Sequence, residues 1–557
     1  MKRLAAALAA VGSACGAGEP AAPAPPADFV HLRDARARTG IDYVHRNGPT
    51  ARKLLIETMG GGVTVFDFDG DGRQDLYFVD SGEVPRTNAE QARGGNRLYR
   101  NLGHWKFEDV TAGSGTEGRG YMMGAIAADY DGDGDADLYV TACGSNSLLR
   151  NDGGGKFTDV TKQAGCDDTR WSTGAAFFDY DGDGDLDLFV QNYLDYEVSK
   201  QRPYFREDIP IYPPPDLFDP VASALFRNRG DGTFEDVSIS SGIAAHLAKG
   251  LGVVTGDFDF DGDVDIFCAN DVSPNFLFAN QGDDTFREVG AISGSAYSAE
   301  GRELSGMGAD AADLDGDGLS EIVVTNFSGE SNSIYRCEGG LTYTEISSRS
   351  GTWELSMPCL GFGTRLVDLD NDGARDWIVA NGHIYDNAEK VLTGTSYRQP
   401  MLLFQGLGNA RFRDRAPDQP EEFRAVRVAR GLAVADLDDD GDLDVVVGIL
   451  GGAPLLLENV GGERNSWIAV RCVGTRGNTS AIGAQVTVEA GGRTQVSEVR
   501  TAASYLSQSD LRQFFGLDEA EKVERIRVRW PNGAVEEALD VSARRHLTFV
   551  EGSGLQK

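Results

Sequence analysis

Seven times the chain sets aspartates at alternate positions ahead of a glycine and an apolar run, as Asp-x-Asp-x-Asp-Gly-x-x-Asp/Glu. Carboxylates at positions 1, 3, 5 and 9, joined by the backbone carbonyl of position 7, make an all-oxygen donor set. Such a set suits a hard cation. The donor count suits Ca²⁺, which takes about six to eight oxygens in flexible geometry, whereas Mg²⁺ keeps more of its water. The glycine after the third aspartate lets the backbone turn back on the ion. The expected ligands are Asp67, Asp69, Asp71 and Asp75; Asp129, Asp131, Asp133 and Asp137; Asp179, Asp181, Asp183 and Asp187; Asp257, Asp259, Asp261 and Asp265; Asp313, Asp315, Asp317 and Glu321; Asp368, Asp370, Asp372 and Asp376; and Asp436, Asp438, Asp440 and Asp444. Calcium, up to seven ions, is the expected cofactor. A helical EF-hand would need a bidentate Glu at position 12 and flanking helices. Position 12 is instead Phe78, Val140, Val190, Cys268, Val324, Val379 or Val447. One such motif alone reads as an acidic turn; seven in matched context do not.

The elements that must position these loops repeat with them. A Gly-rich apolar strand precedes each loop, as in GAAFFDYD, and a β-branched run follows it, as in DLFVQ. A third strand ends in a turn (RLYRNLG, SLLRNDG, ALFRNRG), and a fourth follows in six copies (FEDVTAGSG, FTDVTKQAG). Successive loops start 62, 50, 78, 56, 55 and 68 residues apart, so insertions fall in connections. Four strands per repeat at this period predict an all-β fold, a seven-bladed β-propeller with calcium loops. The seventh repeat lacks its fourth strand. FVHLRDARARTG, starting at Phe29, fits the missing template and is expected to complete the last blade, closing the ring and hiding its edge.

The blocks GAAFFDYDGDGDLDLFVQN and LFRNRGDGTFEDVS resemble FG-GAP/VCBS repeats, the blade type of integrin α-like propellers, over about residues 29–460. The resemblance implies calcium loops between first and second strands on one face of a disc, with ligand contacts on the other. From Asn465 the chain changes character. WIAVRC, AQVTVEA and RIRVRW alternate as strands, and PNG and AGG read as turns. Ala481-Ile482-Gly483-Ala484, Ser504 through Ser509, Phe515-Gly516-Leu517 and Val528 through Gly533 make this small β-rich tail resemble an ASPIC/UnbV domain. Asp518 stands where that family has a second Gly. Propeller plus tail together resemble bacterial members of the cartilage acidic protein-like family. The expected layout is a lipoprotein-like signal at 1–14, a Pro/Ala-rich tether at 15–28, the propeller at 29–463 and the ASPIC/UnbV-like domain at 464–553.

Net charge is −35, from 87 acidic and 52 basic side chains. Much of that acidity is loop chemistry, since seven bound Ca²⁺ would bring the formal charge to about −21. The chain has no basic stripe to neutralise phosphates, so no nucleic acid partner is expected. At the start, Met1-Lys2-Arg3, a short apolar LAAALAAV and Gly12-Ser13-Ala14-Cys15 resemble a bacterial lipoprotein signal with Cys15 lipidated. Plain secretion after Ala14 or Ala17 is the alternative. Both predict export, to the outer membrane or cell surface as a lipoprotein, or to the periplasm or medium. Membrane contact is expected only through the N-terminal lipid. Of the other six cysteines, Cys143 and Cys166 fall where a disulfide or two free thiols are both feasible, and Cys268 reads as core.

The sequence thus predicts an exported calcium-binding propeller acting as a protein or glycan binding or adhesion module at the cell surface, with no catalytic residue assigned. The alternative is an enzyme with a small-molecule pocket opposite the calcium loops. Second strands end there in Asn192-Tyr193, Asn270-Asp271, Asn326-Phe327 and Asn381-Gly382-His383, and Asp271 with His383 is the pair that acid/base chemistry would use. The long insertion from Tyr193 to Ser223 is placed to cover that face.

Overall fold

The computed structural model describes residues 29–88 and 94–556. The signal, the tether and Cys15 lie outside them. Among the described residues the chain is all-β, with seven α-helices of four residues each. Seven four-stranded antiparallel sheets occupy residues 31–460, and six of them run in simple chain order. In the second sheet, Tyr121–Ala128 and Asp137–Cys143 are buried at every residue, Ser147–Asn151 nearly so, and Phe157–Asp159 only at its first. Burial on both faces explains why the inner strands read as continuous apolar runs without alternation. The first strands neighbour one another in sequence order, and Ala429–Ala435 returns to Val63–Phe66. Glycine permits that close seam: a Cβ on Gly431 would lie 2.6 Å from the Gly61 carbonyl oxygen.

The last sheet is built from both ends of the ring. His31–Asp34 pairs antiparallel with Leu455–Val460, in the register His31 to Val460 and Asp34 to Leu457. The expected closure is therefore present. Gln419, from the preceding repeat, clamps the added strand by donating to the Val30 carbonyl (3.0 Å) and accepting from the Leu32 amide (2.9 Å).

The tail forms two further four-stranded sheets. One contains Ser466–Val473 in parallel pairing with Arg545–Val550; the other contains Gln485–Ala490 and Lys522–Arg529. Val486, Val488, Phe515, Ile526, Val528 and Phe549 fill the space between them. On the opposite side of the ring an apolar cap gathers Leu54, Ile56, Tyr193, Tyr196, Ile211 and Tyr212. The Tyr193 insertion covers that face as expected. All six described cysteines are free and buried; Cys143 packs in this cap and Cys166 in a different cluster. No helix among the described residues is long and apolar enough to cross a membrane.

Candidate metal centres

Each acidic loop joins the first and second strands of its sheet. Asp67, Asp69 and Asp71 offer carboxylate oxygens within 4.8 Å of one another, as do Asp129, Asp131 and Asp137, Asp179, Asp181 and Asp187, and Asp257, Asp259 and Asp261. In six loops the position-1 carboxylate is oriented by the loop's own backbone. Its two oxygens accept from amides on the far side of the turn, as when Asp67 takes Asp71 N (3.1 Å) and Gly72 N (2.9 Å). The residues fit a hard cation. Burial raises the Asp75, Asp265 and Glu321 carboxyls to about 8 and that of Asp137 to about 9. Asp315 Oδ1 and Asp438 Oδ1, both at position 3, are buried without a hydrogen-bond donor. A cation beside such buried carboxylates would lower the cost of keeping them charged.

Position 9 has a second task that spacing alone did not reveal. Its two oxygens accept from the amide of position 2 and from an amide at the end of the third strand: Asp137 from Tyr130 N (3.1 Å) and Asn151 N (2.7 Å), Asp187 from Tyr180 N (3.0 Å) and Asn228 N (2.8 Å). The same pair of bonds recurs at Asp75, Asp265, Glu321, Asp376 and Asp444. The loop is therefore stapled to its sheet whatever it holds.

The tail lies on this loop face. Thr479 donates to the Asp129 carboxylate, and Asn478 N donates to the Gly184 carbonyl (2.9 Å). Arg529 pairs with Asp257 at 2.8 Å, Arg512 Nη2 donates to the Asp436 carbonyl (3.1 Å), and His546 Nε2 stands 3.6 Å from Asp436 Oδ2. A tail segment then enters the ring's axis. Thr501, Ser504, Tyr505, Ser507 and Gln508 are all buried; all but Tyr505, whose hydroxyl reaches Met59, bond to first strands. Val65 N donates to the Gln508 carbonyl (2.9 Å), and Gln508 N to the Val63 carbonyl (3.0 Å). The Gln508 side chain bridges Ala127 N and O (2.7 and 3.0 Å). Thr501 Oγ1 takes Phe177 N (2.9 Å), Ser504 Oγ takes Thr364 N (3.0 Å), and Ser509 Oγ takes Val434 N (3.0 Å). Ser504 also pairs by its backbone with Ala309. Six of the seven sheets thus bond to one segment. The sequence signal was present, as a run of small polar residues in a domain of strands, but its long-range partner was not.

On the capped face, Asp271 and His383 are buried and serve separate neighbours. Tyr193 donates its hydroxyl to Asp271 Oδ2 (2.6 Å), and burial raises that carboxyl to about 7. His383 Nδ1 accepts from Tyr385 N (3.0 Å), Nε2 lies 3.1 Å from Ser328 Oγ, and burial lowers the imidazole to about 4. No hydrogen bond joins the two among the described residues.

FG-GAP-like repeats match at residues 67–140, 129–190, 217–268, 257–324, 313–379 and 368–447, and ASPIC and UnbV matches at 474–556. Human Cartilage acidic protein 1 is 29% identical over 325 residues, which cover 57% of this chain and 45% of that protein. The mouse protein matches alike, covering 46% of its length, so the chain spans about half of the curated relatives it matches. Among solved structures, an Agrocybe aegerita lectin recognising non-reducing terminal N-acetylglucosamine aligns at 16% identity and a TM-score of 0.38, over 64% of this chain and 79% of the lectin. BBS1N, solved in complex with ARL6DN, aligns at 10% identity and a TM-score of 0.39, over 77% and 97%. With FG-GAP-like repeats over more than half its length and ASPIC and UnbV at its end, the chain belongs to the FG-GAP-like repeat family, in the architecture that cartilage acidic protein 1 shares.

Proposed function

We propose that this protein is an exported, calcium-stabilised binding module whose ligand is a protein or a glycan. The observation that carries the calcium reading is the convergence of alternate carboxylates within 4.8 Å in successive loops. Their donor set is all oxygen, and their staples hold the loop open to an ion. Binding is favoured over catalysis because Asp271 and His383 are sealed beneath an apolar cap and committed to different partners. The ring's outer surfaces and rim remain for recognition. Export, with Cys15 as the lipid anchor at the cell surface, would place the loops in calcium-rich medium, where even weak sites fill.

Calorimetry with and without a chelator tests the calcium reading. Ions that bind only the folded state raise its melting temperature, so chelation is expected to lower it; equal values would sink the proposal. A glycan array and protein cross-linking on calcium-loaded protein test the module reading. Turnover of a small-molecule substrate that is lost in Asp271→Asn or His383→Ala would overturn it.

A further inference from the structure

One loop of the seven departs from the pattern, and the departure lies at its first ligand. In the other six, the position-1 carboxylate accepts from the glycine amide of position 6: Asp67 from Gly72, Asp129 from Gly134, Asp179 from Gly184, Asp313 from Gly318, Asp368 from Gly373 and Asp436 from Gly441, at 2.8–3.0 Å. Asp257 makes no such bond. Its Oδ2 is taken by Arg529 Nη2 at 2.8 Å. Arg529 ends the tail strand Lys522–Arg529, so its position is set by that sheet and not by the loop. The fourth loop also carries Phe260 with φ 63°. At the same position four loops have glycine and two have Asn371 or Asp439, the residues that enter the left-handed region readily. Phe260 is 44% exposed, so no packing gain explains its presence there.

We infer that the Arg529 guanidinium occupies the charge role of a divalent cation in the fourth loop, so that the chain binds six calcium ions and not seven. The inference rests on the calcium reading above. The donors themselves are present, since Asp257, Asp259 and Asp261 still offer oxygens within 4.8 Å of one another. What differs is the first ligand. Asp257 is turned off the loop's own amides and onto a fixed positive group, whereas the arginines that pair with the first loop, Arg100 with Asp69 and Arg73 with Asp71, take positions 3 and 5 and leave Asp67 on its amides. A dication brought beside that guanidinium meets like-charge repulsion that lowers its affinity by at least about a hundredfold. The loop then serves as a calcium-independent anchor for the tail.

Metal content by inductively coupled plasma mass spectrometry, with native mass spectrometry of the intact chain, reads the stoichiometry directly. Wild type is expected to carry six Ca²⁺ per chain. Asp257→Asn is expected to leave six, while Asp313→Asn lowers the count to five. Arg529→Met, which keeps the side chain's length and removes its charge, is expected to raise it to seven, and Arg529→Lys to leave six. Circular dichroism confirms that each variant is folded. Seven ions in wild type, or a loss of one in Asp257→Asn, would overturn the inference. So would a count that stays at six in a folded Arg529→Met. No calcium in any variant would instead refute the calcium reading on which the inference stands.

Discussion

Five asparagines tie the ring together one residue at a time. Each lies at or next to the end of a third strand and donates its side-chain amide to the position-2 carbonyl of the preceding sheet's loop: Asn101 to Leu437, Asn151 to Phe68, Asn228 to Tyr130, Asn280 to Tyr180 and Asn459 to Leu369, at 2.8–2.9 Å. Where Cys337 and Gly406 replace asparagine, that side-chain staple is missing. Asn151 also donates to the Ala136 carbonyl and accepts from Gly153 N. Asn151→Ala would leave buried carbonyls unpaired and is expected to cost about 2–4 kcal/mol, read as a lower melting temperature. Asp271 predicts a pH signature. Its folded pKa of about 7 lies above its ordinary value because burial outweighs the Tyr193 hydrogen bond; Glu330 and Asp216 push the same way and Lys249 opposes them. Between about pH 4 and 7 the folded state holds a proton that the unfolded state has released, so this group's contribution to stability falls as pH rises. Asp271→Asn keeps an acceptor for Tyr193 and removes the charge. Its advantage over wild type is expected to grow from pH 4 to 8, by up to about 4 kcal/mol. A pH-independent difference in melting temperature would refute that assignment.

Among the elements, the strand His31–Asp34 has the largest role for its size. Phe29, Val30 and Leu32 are buried against the last sheet, and the Gln419 clamp fixes their register. Deleting Phe29 through Gly40 is expected to expose the edge of Leu455–Val460 and to give aggregates in light scattering. A truncated protein that stays monomeric and equally stable would contradict this. This strand was legible in the sequence, because the repeat template leaves one fourth strand missing and one spare. The loops and their strands were legible for the same reason: a repeat declares itself several times, and buried inner strands declare themselves by unbroken apolar runs. The axial segment was not legible. Ser504, Ser507 and Gln508 read by type as surface residues, and only the ring's unpaired inner amides explain their burial. The asparagine staples were hidden in a motif that also makes a good turn. Arg529 lies 272 positions from Asp257, with no local pattern to join them.

At the scale of the whole molecule, tail and ring are one structure. Without the tail, inner-strand amides of Val65, Ala127, Phe177, Ala309, Thr364 and Val434 lose their acceptors. A chain ending near residue 463 is expected to melt several degrees lower, since buried amides left unpaired are costly. A synthetic peptide spanning Thr501–Asp510, added in trans, is expected to bind the shortened ring and recover part of that loss, measurable by titration calorimetry. No binding at millimolar peptide would mean that the axial bonds contribute little on their own.

The axial segment also sets an order of events in time. Strand His31–Asp34 is made early yet pairs with Leu455–Val460, more than 400 residues later, and the inner strands wait longer still for Gln508. Separations of this length make closure slow, because chain entropy must be lost before the contacts that offset it form. A nascent chain therefore cannot complete its ring until Gln508 has been made, and until then it is a string of unsealed sheets with open edges.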